Sequence, residues 1–406
     1  MPPIIAALRN HKTTVVLVAL EIALTCAIVT NALAVIGGRI AAMRVTTGVA
    51  NDQLVWADTN NMDVGQHVDY AGLPAEDMAA LRAIPGVKSV VMTDGMPLNG
   101  NYISTDLWRQ PGSKHDVVSN AVLYLGTPGM LKTLGIHLSA GRAFTPSEFV
   151  DYHAFGSSPP PTTTIITRTL AEELWPGQNP LGKPVYMDDS GSTKVTYVVG
   201  VVDHLLNPSI NPYQGTQRGF ILPVKTVYDN GMYVLRVTPG RRRAVAAAIP
   251  GVLHRIDPAR LVKAHVYTDT IANYFHGDRA MVWLLAVVIA CLLAITALGV
   301  VGLSSFWVQQ RTKTIGIRRA LGATRGDILR YFQTENFLIV TLGVVAGVIL
   351  AVGLNLLLMK HYELARMPLW YLPVGAAALW ILGQLAVLAP ALRAAAVPPV
   401  VATRSV

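Results

Sequence analysis

Residues Ala280–Trp307 read AMVWLLAVVIACLLAITALGVVGLSSFW, 28 residues without a single charge. As a helix this run reaches about 42 Å, beyond the roughly 30 Å hydrocarbon core of a bilayer. The chain therefore spans a membrane. Directly after the run the character reverses: Arg311, Lys313, Arg318, Arg319, Arg325 and Arg330 stand against one acid, Asp327. Two more apolar runs follow, from about Phe337 to Met359 and from about Leu369 to Leu388. A fourth lies near the N-terminus at Thr13–Gly37, interrupted only by Glu21.

Composition agrees. Of 406 residues, 52% are hydrophobic and 14% charged, whereas soluble domains carry about 25% charged residues. The net charge of +9 comes from basic residues gathered at the ends of apolar runs. That is a topology signal rather than a nucleic-acid face. Cys26 and Cys291 both sit inside apolar runs, which argues against a disulfide framework and a cysteine zinc site. The histidines form no H-x-x-x-H pair and no nucleophile elbow occurs, so neither a metal site nor a catalytic site is expected.

Arg9 and Lys12 precede the first run, and Ala32-Leu33-Ala34 matches an A-x-A cleavage site. A signal peptide has a hydrophobic region of roughly 7 to 15 residues, so the longer run reads as a retained anchor. Lys and Arg favour the cytoplasmic side. The basic loop, the N-terminus and the tail with Arg393 and Arg404 are then cytoplasmic. The expected order is a cytoplasmic N-terminus over 1–12, transmembrane helix 1 over 13–37 and a periplasmic domain over 38–279. Helix 2 over 280–308 and a cytoplasmic coupling helix over 309–331 follow. Helix 3 over 332–359, a short outer loop over 360–368 around His361–Arg366, helix 4 over 369–389 and a tail over 390–406 complete the chain.

The outer region reads as mixed α/β. Leu54–Ala57 is a strand, Pro74 opens a helix stopped by Pro85-Gly86, and Val87–Met92 is the next strand. A second such unit comprises Tyr233–Val237, a helix over Arg241–Ile256 that Pro250-Gly251 should kink or divide, and Val262–Tyr267. These predict a split, ferredoxin-like βαβ subdomain over 38–109 and 205–279, with a mixed β-rich subdomain inserted over 110–204. The insert offers a strand at Thr164–Thr167, a helix over Thr169–Trp175 ended by Pro176-Gly177, and a hairpin from Val185 to Val202 turning at Asp188–Ser192. Ser157–Pro161 reads as an exposed loop.

In the basic segment, Ile315, Gly316, Ile317, Arg318, Arg319, Ala320 and Leu321 can form a short amphipathic helix, with Gly322 as the break. Thr324 and Asp327 make a [ST]-x-x-[DE] cap for the next helix. Glu21 lies roughly 13 Å into its span, where an ionisable side chain faces protein or water. A helix-packing or dimer contact, a substrate or proton role, and neutral burial all remain open for it. Gly343 and Gly347 form a GxxxG for close helix packing, within the chain or across a dimer.

The segment RTKTIGIRRALGATRGDILRYFQTEN, Arg311–Asn336, resembles the signature of the MacB/FtsX superfamily of ABC transporter permeases. The tail APALRAAAVPPVVATR, Ala389–Arg404, is similar to that family's cytoplasmic end. GIHLSAGRAFTPSE (Gly135–Glu148), TLAEELWPGQNPLGKPV (Thr169–Val185) and VVGVV (Val198–Val202) resemble its MacB-type periplasmic core domain. The resemblance implies force transmission. Two permease chains, identical or different, pair with two cytoplasmic ATPases that bind ATP and Mg, and Ile315–Gly322 forms the ATPase-coupling helix. It also implies an inner-membrane location and allows a periplasmic adaptor and an outer-membrane channel. No G-x-x-x-x-G-K-[ST] loop occurs, since Pro184 follows Gly182-Lys183, so the ATPase is expected on a separate polypeptide and no cofactor in this chain. Efflux of drugs or peptides is the expected task. Lipoprotein release, FtsX-like control of wall hydrolases and, in a different class, a membrane sensor or scaffold without an ATPase are the alternatives.

Overall fold

The computed structural model describes residues 12–61, 73–100, 102–110, 117–151, 160–187, 195–210, 215–227, 232–362 and 367–396. The expected turn at Asp188–Ser192, most of the Ser157–Pro161 loop, the residues before Lys12, Arg366 and Arg404 lie outside these. The chain divides into two compact units, one of residues 1–41 with 278–406 and one of residues 42–277.

The unit of residues 42–277 is built on β1 (Leu54–Asn61), α2 (Leu73–Arg82), β2 (Val87–Thr93), β10 (Met232–Val237), α5 (Arg242–Ile256) and β11 (Arg260–Val266), followed by the short α6 (Tyr267–Tyr274). The four strands lie in the order β11-β1-β10-β2, every neighbour antiparallel. This is a ferredoxin-like half assembled from two distant βαβ units. Alternation along β1 explains why it is buried on both faces. Val55 and Ala57 pack with Leu81 of α2 and Val245, Ile249 and Leu253 of α5. Leu54 and Trp56 turn the other way, toward Met130, Leu134 and Tyr267. Pro250 does not divide α5, which runs unbroken from Arg242 to Ile256. The buried row Val245, Ile249 and Leu253 crosses the proline, so packing outweighs one missing backbone hydrogen bond.

The other half contains β3 (Ile103–Trp108), β4 (Val117–Gly126), α3 (Met130–Leu134), β5 (Leu138–Gly141), β6 (Thr163–Thr167), α4 (Arg168–Leu174), β7 (Pro184–Tyr186), β8 (Val195–Val202) and β9 (Gly219–Pro223). Six of these strands close a ring in the order β4-β3-β7-β8-β6-β9 and back to β4, and β5 adds to β8. The half runs from β3 to β9, wider at both ends than the expected 110–204. Both outer strands hydrogen-bond to β4, which draws them into the ring. One pair, Thr93 with Gly126, carries the sheet across from the ferredoxin-like half.

The unit of residues 1–41 and 278–406 holds four helices long and apolar enough to cross a membrane. They are α1 (Lys12–Met43), α7 (His276–Gln310), α9 (Arg325–Tyr362) and α10 (Tyr371–Ala396), with the short α8 (Thr312–Ala320) between the second and third. Three of the four outrun the expected spans at both ends, because helix termini are set by caps rather than by where hydropathy fades. The expected coupling segment 309–331 is not one element. α7 reaches Gln310, α8 ends at Ala320, and α9 already begins at Arg325. Nothing between 325 and 336 breaks a helix, so the third span and the end of the basic segment are continuous.

Candidate functional site

The basic segment folds as a helical hairpin whose geometry follows from a few side chains. Thr312 donates its hydroxyl to the carbonyls of Val308 and Gln309, closing the end of α7. α8 ends in a Schellman motif. Gly322 takes φ +102°, its N–H donates to Arg319, and the N–H of Ala323 donates to Arg318. Asp327 Oδ2 then accepts from the N–H of Thr324 at 2.9 Å, while the Asp327 N–H donates back to the Thr324 hydroxyl at 3.2 Å. This reciprocal cap starts α9.

Between α8 and the first turns of α9 lies an apolar cluster of Val308, Ile315, Ile328 and Phe332, joined by Ala391, Ala394 and Ala395 of α10. Ile315 and Gly316 are therefore buried, and they seat α8 rather than presenting it. The guanidinium of Arg318 lies over the Tyr331 ring, 4.9 Å from its centroid. Outward, Ile317 is 50% exposed and Leu321, at the tip, 83% exposed. Arg318, Arg325 and Arg330 of the same hairpin are exposed as well. The result is an exposed apolar tip on a hairpin that carries exposed arginines.

The same unit holds a buried polar set inside its helices. Arg311, at the bend between α7 and α8, donates from Nη1 to both oxygens of Glu335 at 3.0 and 2.9 Å. The Glu335 carboxylate is only 2% exposed. Next to it, Asn336 Nδ2 donates to the carbonyl of Gly383 in α10 at 2.9 Å. Reading the sequence singled out neither Glu335 nor Asn336. The rule that flagged Glu21, an ionisable residue among apolar neighbours, applies equally to Glu335.

Glu21 faces α7. A Cβ placed on Gly299 would sit 2.8 Å from its Oε2, so glycine there makes room for the carboxyl group. One turn on, Thr25 shares a hydrogen bond with Thr296 at 2.9 Å. Gly343 and Gly347 both press on α1, where an added Cβ would meet Ile22 at 2.8 Å and Cys26 at 2.5 Å. Asn31 of α1 donates to the carbonyl of Ala351. α1 thus meets both α7 and α9 closely, and the GxxxG contact is made within the chain.

Two family models match this chain: the FtsX-like permease C-terminal over residues 286–399 and the MacB-like periplasmic core domain over residues 15–252. YknZ of Bacillus subtilis, an uncharacterized ABC transporter permease, is 21% identical over 332 residues, 81% of this chain and 78% of that protein. The macrolide export ATP-binding/permease protein MacB of Agrobacterium fabrum is 27% identical over 237 residues, 55% of this chain. The chain spans only 34% of that relative's length. Among solved structures, the periplasmic region of MacB from Actinobacillus actinomycetemcomitans is 17% identical, with 56% of this chain and 94% of that one covered at a TM-score of 0.36. The extracellular domain of YknZ is 18% identical, with 51% and 98% covered at a TM-score of 0.33. With the two family models together extending from residue 15 to residue 399, the chain belongs to the MacB-like, FtsX-like family of ABC transporter permeases.

Proposed function

We propose that this chain is the permease subunit of a MacB-like ABC complex, receiving ATP-driven motion from a partner ATPase at α8 and passing it through the membrane helices to the α/β unit. One observation carries the reading. The α8 tip exposes Leu321 and Ile317 on a hairpin whose Arg318, Arg325 and Arg330 are exposed too, while its inner side is fixed to α9 by Ile315 and the Arg318–Tyr331 contact. An apolar knob on a braced helix fits a groove with an acidic rim. In this arrangement the hairpin and both termini face the cytoplasm of a bacterial inner-membrane protein, two permease chains form the transmembrane core, and ATP and Mg reside on the ATPase.

The work proposed is efflux of drugs or peptides. It draws on the macrolide export named for the MacB relative and on the size of the α/β unit. Co-purification of the full chain with an ABC ATPase encoded beside it tests the coupling reading. Leu321→Asp, an exposed position with no packing to lose, is expected to weaken capture about tenfold or more. Equal capture by the variant would count against α8 as the docking site, and no capture by the native chain would favour a sensor or scaffold. Drug susceptibility of a strain lacking the chain tests the cargo.

A further inference from the structure

Arg311 and Glu335 occupy a mechanical joint. α7 ends at Gln310 and α8 starts at Thr312, so Arg311 is the one residue between two helices that could pivot there. Its guanidinium reaches across to α9 and binds both oxygens of a carboxylate that is almost wholly buried. The same guanidinium lies 5.8 Å from the centroid of the Trp307 ring at the end of α7. Glu335 in turn belongs to one stripe of α9. Tyr331, four residues earlier, carries Arg318, and Ile328, seven earlier, packs with Ile315. α8 is therefore pinned to α9 at its start, middle and end. The middle and end contacts are apolar or cation–π. Only the first is a buried ion pair, which tolerates no half-measure: removing one partner strands the other's charge away from water.

We infer that the Arg311–Glu335 pair is the lock that makes α8 and α9 move as one body, so that displacement of the α8 tip enters the third membrane helix instead of bending the joint at residue 311. This rests on the coupling reading above and assigns Arg311 and Glu335 as positioning residues. With the lock intact, α8 has no freedom of its own. With it broken, α8 still folds, because its Schellman end is untouched, but its start is released from α9 and it rocks at the joint on its weaker apolar and cation–π contacts. Docking and transmission thereby become separable properties of one hairpin, docking held by Leu321 and transmission by Glu335.

The test uses the full chain with Cys26 and Cys291 replaced by Ala and a spin label at Thr314→Cys, an exposed α8 position. In the permease alone, Glu335→Gln is expected to mobilise the label, whereas Arg311→Lys, which keeps the charge pair, leaves it ordered. With the ATPase bound, Glu335→Gln captures as much partner as the native chain. However, a second label at Leu357→Cys, near the far end of α9, loses about fivefold or more of its ATP-dependent change. An unchanged Thr314 label in Glu335→Gln overturns the lock. So does a mobilised label with an undiminished change at Leu357. Failure of the native chain to capture any ATPase overturns the coupling reading instead, while the Thr314 label still decides whether the pair holds α8 to α9.

Discussion

At the scale of single residues, Asp94 is the side chain whose charge is least at ease. It follows β2 at the crossing from the ferredoxin-like half to the ring, and its Oδ1 accepts from the N–H of Leu125 at 2.8 Å. Oδ2 is buried with no hydrogen-bond partner among the described residues. Burial raises its pKa to about 7, against hydrogen bonds from Leu125, Thr93 and nearby backbone that pull it down. An unfolded aspartate titrates near about 3.9. The sign follows: the folded form binds the proton more tightly, so its contribution to stability is complete below about pH 4 and is lost as pH rises through about 7. Thermal unfolding of the full chain in detergent between pH 5 and 8 is expected to show this loss, on the order of a few kcal/mol at most. Asp94→Asn, uncharged throughout, removes that part of the slope, and an unchanged slope would show that Asp94 is already ionised at pH 5.

Among the elements, α1 and α9 meet at glycines, and the consequences are unequal along α9. Gly347 has no space for a side chain, since a Cβ there would overlap Cys26 and Ala23, whereas Gly353 has nothing within 4 Å. Gly347→Val is expected to destabilise the helix bundle by about 1–3 kcal/mol or to abolish expression, because neither backbone can retreat. Gly353→Val, the same change six residues on, should stay within about 0.5 kcal/mol. Comparable melting points for the two would refute the α1–α9 contact. This contrast also marks what the sequence reveals. The four spans, the Thr324–Asp327 cap and the glycine pair are local patterns that hydropathy and spacing disclose. That Gly343 meets Ile22, more than three hundred positions away, is not local and has no periodic signature. Glu335 was hidden for a related reason. It stands before the apolar run that begins at Phe337, and its partner Arg311 reads by itself as one more topology charge.

Across the α/β unit of residues 42–277, the split βαβ order was legible because each piece carries its own helix stop and strand pattern. The closure of the ring was not, since it depends on a parallel β4–β9 pairing and on a single β3–β7 pair, Trp108 with Tyr186. The two halves share more than that thin sheet crossing: one apolar cluster runs from Val55 and Val245 to Leu170 and Val198. They should unfold together. The buried set at the far edge of the ferredoxin-like half offers a probe. Arg260 contacts Asp77, which also accepts from Tyr233 at 2.6 Å, and Arg260 Nε donates to Asp257 at 3.0 Å. Arg260→Met leaves Asp77 buried without its cation and is expected to cost about 3–5 kcal/mol. Calorimetry of the variant should show the whole unit melting earlier in one transition, and a new, separate transition would mean that the halves fold independently.

The uninterrupted course of α9 from Arg325 to Tyr362 has a consequence of its own. At 38 residues it is about 57 Å long, nearly twice the hydrocarbon thickness it crosses. A rod of that length rocking by about 10° about its midpoint carries each end roughly 5 Å, in opposite directions. A modest tilt set at the Arg325 end therefore reappears at the Tyr362 end as a sideways shift of roughly 5 Å, without any residue in between changing its backbone conformation.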